Sequence, residues 1–368
     1  MNIDVYCYDD VDNPRCGGGG AYRELAVHRL LAQRHRVRFY TGNFKGAVAS
    51  DEVNFCRRHL GSGANYILSR ISFSIIATLC SLFSRADIIA VPYSIYSPVL
   101  TFFFKPKKTV VLFFHITGKE VFNKYGPFGV LPFLAEKAVL AAARHFITLT
   151  DSMAEELKRR RPGIHACAGY VSFDTSLLSR SATDDNYILC FGRIDIRMKG
   201  IDILVESFEK IAGAFPRHRL IIAGRGKESD VAWLRQRAAA SPAGGRIVLF
   251  TNVPDEEKKR LFHAATFVCM PSRFEGWNIA AIEAAASSKA TLGTRIRGLT
   301  DAIKENETGL LVSPENVPAL AEKMELLLVD EPLRRKLGDN GYEWAQRFTL
   351  ERVASIQEKF YTSTLTEK

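Results

Sequence analysis

Glu275 and Glu283 stand eight positions apart in the segment RFEGWNIAAIEAA, residues 273 to 285, and that spacing decides what two carboxylates can do there. Asn278 is an N-cap residue type followed by an apolar, alanine-rich run, so the sequence predicts a helix that begins near it. The backbone amides from Gly276 to Ala280 then face whatever binds in front of the helix, and a helix N-terminus favours an anion. Glu283 falls inside the helix and Glu275 in the loop before it, which at ~1.5 Å rise per residue separates the carboxylates by on the order of 10 Å. Glycoside hydrolysis needs its carboxylates about 5 to 9.5 Å apart across one bond. The pair is therefore read as flanking a phosphate site, one carboxylate for each end of a diphosphate ligand.

Arg193 ends the strand-like run YILCFGR and Lys199 follows six positions later, a gap that brings two cations to one side of a turn. A diphosphate leaving group gains negative charge as its glycosidic bond breaks, and fixed cations with helix amides stabilise that charge without a metal. The run Gly17, Gly18, Gly19 and Gly20 lies between a first strand and the helical stretch AYRELAVHRLLAQ, and lets backbone approach a phosphate or an acceptor closely. A loop with no ligand is the other reading. It is not the dinucleotide fingerprint, because the third spaced glycine would fall on Tyr22 or Arg23. His115 ends TVVLFFH, where a neutral imidazole can hydrogen-bond a sugar hydroxyl, although a lone histidine is more often structural.

The elements that must position these residues follow an alternating pattern. Short apolar, β-branched runs (NIDVYCY, RVRFYT, DIIAVP, TVVLFFH and HFITLT, then YILCFG, RLIIAG, RIVLF, TFVCMP and ATLGT) alternate with helical stretches. This predicts two parallel sheets with helices on both faces. The length of 368 residues suits two domains, and the polar segment SRSATDDN, residues 179 to 186, sets the boundary at 180/181. From Leu350 onwards, Val353, Ile356, Phe360 and Tyr361 form a helical stripe. Ligands of open α/β sheets bind outside the strand C-termini, so two such domains would face a shared cleft.

The motif E-G-x-x-x-x-x-x-E after the strand end Val268 to Ser272 resembles glycosyltransferase family 4, retaining enzymes of GT-B architecture. YILCFGRIDIRMKGIDILVESFEKI (187 to 211), HRLIIAGRG (218 to 226), NETGLLVSPENVPALAEKMELLLVDEPLRRKLG (306 to 338) and RFTLERV (347 to 353) resemble it too. In the first half the likeness rests on GGGGAYRELA, RHRVRFYTG, FFHITGK and FITLTDSMAEEL. The resemblance implies an α/β fold of two Rossmann-like, doubly wound parallel-sheet domains: 1–180 for the acceptor, 181–349 for the nucleotide-sugar donor, and 350–368 as a helix crossing back to the first.

It also implies that Arg193 and Lys199 contact the donor's phosphates, that Glu283 accepts hydrogen bonds from the ribose hydroxyls, and that Glu275 contacts the donor sugar. Gly276, Trp277, Asn278 and Ile279 would offer backbone amides to phosphate and sugar, with Gly18, Gly19 and Gly20 also on the donor. His115 would lie beside the donor sugar, and His115 and Glu275 are the residues assigned to the reaction. The expected activity is retaining, hexosyltransferase-type transfer from a nucleotide-diphosphate sugar to a lipid-linked or polysaccharide acceptor in cell-surface glycan synthesis, with no metal and no other cofactor. A sugar-nucleotide epimerase or hydrolase of the same architecture, or a non-catalytic sugar-nucleotide-binding scaffold, are the alternatives. Three positions depart from the commoner family pattern: Asn278 replaces a glycine, Ala168 stands where an asparagine precedes Gly169, and SSKATLGT carries Lys289 and Ala290 where a glycine and a proline are usual.

Composition bounds the rest. A chain 47% hydrophobic and 24% charged is ordinary for a globular protein, which argues against disorder. Its seven cysteines are scattered, with no CxxC and no zinc spacing, and read as reduced thiols. The acidic start MNIDVYCYDD lacks the features of a signal peptide, so a cytoplasmic location is expected. YILSRISFSIIATLCSLF, residues 66 to 83, is long and apolar enough to test as a membrane span, but Arg70 and its serines favour a buried or partly interfacial helix. Of the net charge of +10, residues 1–180 carry +9, with basic clusters at Arg34, Arg36 and Arg38, at Arg57 and Arg58, at Lys105, Lys107 and Lys108, and at Lys158 to Arg161. That excess reads either as solvated surface or as a face for an anionic membrane or lipid diphosphate, which would make the protein peripheral on the cytoplasmic membrane face. No nucleic-acid motif accompanies it.

Overall fold

The computed structural model describes residues 1–13, 19–94, 96–114, 122, 126–180 and 183–366. They form two compact units, Met1–Val171 with Leu350–Lys368, and Ser172–Thr349. The chain thus leaves the first unit after Val171, ahead of the polar segment 179–186 taken from sequence as the boundary. Residues 175–179 belong to the second unit because Leu177 is buried there, its carbonyl accepting from Ser287 Oγ at 3.3 Å, and Ser179 N–H donates to the Ala286 carbonyl at 3.0 Å.

The first unit is built on β1 (Asn2–Tyr6), β2 (Arg36–Gly42), β3 (Ser50–Glu52), β4 (Phe55–Leu60), β5 (Ile88–Pro92), β6 (Thr109–Phe113), β7 (His145–Thr148) and β8 (His165–Ala168), in the order β3-β4-β2-β1-β5-β6-β7-β8. All pairings are parallel except that of β3 with β4. Its helices are α1 (Gly19–Leu31), α2 (Tyr66–Phe83), α3 (Leu100–Phe104), α4 (Val130–Ala142), α5 (Asp151–Arg160) and, from the end of the chain, α13 (Leu350–Thr366). Phe73 and Ala77 of α2, Phe102 of α3, Val139 of α4 and Met153 and Leu157 of α5 share one buried cluster with Tyr6, Ile89, Val111 and Phe146 of the strands. These four helices therefore form one layer. On the other sheet face, reached through Phe39 and His165 by strand alternation, α1 packs against α13. There Gln357 donates to Glu24 at 3.4 Å, and His28 Nε2 lies 3.2 Å from Tyr361 Oη.

Two features of this unit differ from what a run of residue types suggests. FCRRHL reads as a charged surface, yet it is strand β4: Arg57 pairs with Asp10 at 3.4 Å and with Asp12 at 2.7 Å, and His59 lies 3.2 Å from Asp10. Arg38, Arg34 and Arg58 are likewise occupied, by Asp4, Glu358 and Asp51, so Arg34, Arg38, Arg57 and Arg58 of the two arginine clusters are paired within the unit. Helix α2, for its part, buries only the stripe Ser69, Phe73, Ala77 and Ser81. Its bulkier side chains, Ile67, Ile71, Ile75, Leu79 and Phe83, are exposed.

The second unit carries β9 (Tyr187–Ile194), β10 (Arg219–Gly226), β11 (Ile247–Thr251), β12 (Phe267–Met270), β13 (Thr291–Thr294) and β14 (Gly309–Val312) in the all-parallel order β11-β10-β9-β12-β13-β14. The connecting helices are α6 (Ile201–Ala212), α7 (Glu228–Ala239), α8 (Asp255–Ala264), α9 (Ile279–Ala286), α10 (Leu299–Ala302), α11 (Val317–Val329) and α12 (Glu331–Ala345). From β9 the chain winds outward through β10 to β11, and from β12 outward through β13 to β14. The winding direction reverses between β9 and β12, and the crevice outside their C-terminal ends is where such a sheet takes a ligand.

Candidate functional site

Arg193 sits at the end of β9, in register with Arg225 of β10, just after the register pair Gly192 and Gly224. Both glycines have positive φ, +149° and +152°, and a Cβ on Gly224 would lie 1.7 Å from the Gly192 carbonyl oxygen. A side chain cannot fit at Gly224, so this glycine lets the strand ends pair closely, with Arg193 and Arg225 next to one another in register. Arg193 is two-thirds exposed, its nearest acid being Asp195 at 3.6 Å.

The turn that follows delivers Lys199. Gly200 has φ +64°, and a Cβ on it would lie 2.0 Å from the carbonyl oxygen of Pro271, so this turn closes directly over the end of β12. Arg273 fastens the two loops: its guanidinium donates twice to Asp202 at 2.8 Å and reaches Glu315, whose carboxyl it holds below the ordinary carboxylate value. Arg193, Lys199, Gly192, Met270 and Ser272 line one hollow.

Glu275 enters from the β12–α9 loop with its side chain only 8% exposed. One of its oxygens accepts from Lys199 Nζ, from Ser272 Oγ at 2.7 Å and from Asn278 Nδ2 at 3.0 Å. The same Asn278 caps α9, its Oδ1 accepting from Ala281 N–H at 2.9 Å. Asparagine at this position thus does two things that the family's commoner glycine cannot, starting the helix and turning the Glu275 carboxylate. Trp277 is buried edge-on against Phe348, with ring centroids 5.3 Å apart, and pins the loop carrying Gly276 and the first turn at Ile279. Gly298, at φ +86°, packs its Cα against the carbonyls of Glu275 and Gly276.

Glu283 lies inside α9, 3% exposed, and its Oε1 accepts from Lys258 Nζ of α8 at 2.5 Å. Lys258 in turn lies 5.5 Å from the centre of the Phe191 ring, the residue before Gly192 and Arg193. The two carboxylates therefore form two separate ion pairs, Lys199 with Glu275 and Lys258 with Glu283, at the ends of β9 and β12. What the second unit gathers at its switch point is an exposed arginine register pair, with Asp195 3.6 Å from Arg193, two ion-paired carboxylates with fixed orientation, and the N-terminus of α9. Such a set suits a ligand that is anionic in the middle and carries hydroxyls at its ends.

Of the residues read from sequence, Arg193, Lys199, Glu275, Gly276, Trp277, Asn278, Ile279 and Glu283 fall in this one region. Gly19 and Gly20 open α1 in the other unit, and Gly18 and His115 lie outside the described residues. Lys289 takes no part in the hollow: it is buried, donates to the Thr183 carbonyl at 2.7 Å, and is pushed down to about 8 by that burial. Sequence reasoning missed Arg225, Ser272, Arg273 and Lys258. The second Gly-Arg pair could have pointed to Arg225, whereas nothing in DEEKKRLFHA separates Lys258 from its solvated neighbours. Among the described residues no cluster of His, Cys, Asp and Glu has the makings of a metal site.

Comparison with known proteins places this geometry. Residues 178–344 match the family model for glycosyl transferases group 1, and residues 16–166 match that for glycosyltransferase family 4. Among curated proteins, the capsular polysaccharide biosynthesis glycosyltransferase CapM of Staphylococcus aureus is 27% identical over 246 residues, 62% of each chain. A D-inositol 3-phosphate glycosyltransferase of Corynebacterium aurimucosum is 29% identical over 178 residues, 47% of this chain and 42% of that protein. The matches thus span about half the length of such relatives. Among solved structures, sucrose-phosphate synthase of Thermosynechococcus elongatus superposes with a TM-score of 0.78 at 21% identity over 100% of this chain and 99% of that one. HepE of Anabaena, solved with UDP-glucose, gives a TM-score of 0.75 at 15% identity over 99% and 100%.

Proposed function

This chain belongs to glycosyltransferase family 4 and has the GT-B fold, and from that premise we propose that it transfers a sugar from a nucleoside-diphosphate sugar to a glycan or lipid-linked acceptor, with retention of the anomeric configuration. The observation that carries the reading is the assembly at the β9/β12 switch point: Arg193 and Lys199 line one hollow, with Glu275 held at its side and Glu283 buried in the helix behind.

In this reading the diphosphate lies across the hollow, where Arg193, Lys199 and the first amides of α9 meet the charge that grows as the sugar–phosphate bond breaks. Glu283, oriented by Lys258, accepts from the ribose hydroxyls, and Glu275 from hydroxyls of the sugar. The bond to the anomeric carbon breaks and the new bond to the acceptor oxygen forms on the same face, the acceptor's proton leaving with the diphosphate. His115 is the residue assigned beside the sugar. No metal takes part, since two side-chain cations and a helix terminus supply the positive charge. Relatives named for capsular polysaccharide and lipopolysaccharide core synthesis support an acceptor of cell-surface glycan type.

The test is isothermal titration of nucleoside diphosphates and their sugars, with and without EDTA, followed by product analysis with lipid-linked and oligosaccharide acceptors. One sugar nucleotide should bind selectively, unaffected by EDTA, and its product should keep the donor's anomeric configuration. An inverted product would overturn the retaining mechanism. Binding with turnover to free sugar alone would make the protein a hydrolase, and no nucleotide binding at all would remove the transferase reading.

A further inference from the structure

The outward face of α2 is inverted relative to a helix of a soluble protein. Such a helix turns its apolar stripe to the core and its polar residues to water. Here the buried stripe is Ser69, Phe73, Ala77 and Ser81, while Ile67, Ile71, Ile75, Leu79 and Phe83 repeat every four residues on the outside, Ile67 at 70% and Phe83 at 82% exposure. The helix is long and apolar enough to cross a membrane by composition, but only 22% of it is buried. It is not free to span, because its inner stripe is fixed to the sheet: Phe73 is fully buried in the core, Tyr8 Oη donates to Ser69 Oγ at 3.3 Å, and Ser81 bonds Thr101 of α3.

The apolar surface does not stop at α2. Helix α3 packs between α2 and α4 in the same layer, exposing Phe103 and Phe104, and α4 continues the face with Leu131 and Leu134. Beside Phe104 opens a recess lined by Lys105, Lys107, Lys108 and Arg144. Between Tyr66 and Lys108 the chain has five basic residues and one acid, Asp87, which accepts from Asn2 at 2.8 Å. In α4 the one acid, Glu136, is buried. A large contiguous apolar surface rimmed by cations calls for a partner that is apolar beneath and anionic at its surface.

We propose that the α2–α3–α4 face of the first unit is a monotopic docking surface for an anionic lipid bilayer. α2 lies in the plane of the interface with its outer stripe among the acyl chains, and Lys107 and Arg144 meet the phosphates of headgroups. The two contributions differ in kind: the apolar one is indifferent to salt, and the cationic one weakens as screening shortens from about 10 Å at 0.1 M to about 3 Å at 1 M. The proposal goes beyond donor transfer and stands or falls without it.

The experiment is co-sedimentation of the full chain with vesicles of phosphatidylcholine alone and with added phosphatidylglycerol, at low and high salt, beside sedimentation velocity of the protein alone. Wild type should favour the anionic vesicles and keep part of its binding in high salt. Ile71→Glu/Ile75→Glu should lose at least tenfold on every vesicle. Lys107→Glu/Arg144→Glu should lose only the preference for phosphatidylglycerol. Both variants alter exposed side chains, so unchanged thermal melting and unchanged nucleotide binding confirm that the fold and the donor site are intact. Wild type that does not sediment with either vesicle overturns the proposal. So does a wild-type dimer in solution that Ile71→Glu/Ile75→Glu dissociates with no lipid binding, for the face would then be a contact between two copies of this chain.

Discussion

Lys258 and Glu283 separate what holds the site together from what binds the ligand. Their side chains are 14% and 4% exposed, so Lys258→Met strands the Glu283 carboxylate in a nearly dry environment. Removing one partner of a buried ion pair costs about 3 to 5 kcal/mol, and the residual exposure of Lys258 puts this one near about 3 kcal/mol. In Lys258→Met/Glu283→Gln the stranded charge is gone, and the cost should fall to about 1 kcal/mol. Affinity for a nucleoside diphosphate should rank the variants differently. Glu283→Gln keeps the shape but turns an anionic acceptor into a neutral one, forfeiting about 1.5 to 3 kcal/mol of charge-assisted hydrogen bonding, or roughly 10- to 150-fold in Kd. Lys258→Met keeps the carboxylate and should weaken binding by less than about fivefold while the protein is folded. Urea unfolding gives the first ranking and isothermal titration the second. Equal loss of affinity in the two single variants, or wild-type affinity in Glu283→Gln, would refute the assignment of Glu283 to the ribose. An unchanged unfolding midpoint in Lys258→Met would refute the claim that the pair is structurally coupled.

Three further outcomes follow from particular contacts. Gly200→Ala forces a left-handed backbone conformation on a residue with a Cβ, about 1 to 2 kcal/mol before the clash with Pro271 is counted, and should lower both the melting temperature and donor affinity; an unaltered melt would show that the turn relaxes freely. Asn278→Gly removes the cap of α9 at about 1 kcal/mol or less, together with one bond to Glu275, and should relax discrimination between donor sugars more than it weakens nucleoside diphosphate binding; the ratio of kcat/KM for two sugars reads this. Burial raises the Glu24 carboxyl from 4.5 to about 7, so unfolding releases its proton and its contribution to stability falls as pH rises from about 4.5 to about 7. Adjacent His28, pushed down to about 4 by burial, acts in the opposite sense between about 4 and 6.5, but it is present in both wild type and Glu24→Gln. The melting temperature of Glu24→Gln relative to wild type should therefore climb between pH 5 and pH 8, and parallel curves would contradict the shift.

The strands with long β-branched runs were legible because in a parallel sheet both faces are buried and the sequence carries little else. β8, HACA, has no β-branched residue and β14, GLLV, only one, and β4 conceals itself because Arg57 and His59 find acids to neutralise them. The site was legible where backbone geometry demands a residue type. Gly200 after Lys199 and Gly276 after Glu275 sit in turns that spacing exposes, and Asn278 is a cap whatever else it does. Partners far away in sequence were not. Lys258 reaches Glu283 from another helix, and Arg273 joins Asp202 to Glu315 across two loops, contacts that a single sequence does not encode locally. The charge excess of the first half left solvated surface and an anionic partner both open, and it could not say that Arg38, Arg57 and Arg58 are occupied while Lys107 and Arg144 are exposed.

Helix α13 returns from the end of the chain to cover α1, placing Gln357 and Tyr361 over Glu24 and His28. In the order of synthesis, the second unit is an insertion within the first. Residues 172–349 have left the ribosome and can close their sheet while the first unit still lacks a wall, although it began first. Until Leu350–Thr366 emerges, α1 presents a buried-type carboxyl and imidazole to water with nothing to receive them. A nascent chain stopped before residue 350 should thus show protease protection over the second unit and cleavage in α1, and a free peptide of residues 350–366 should restore protection to α1.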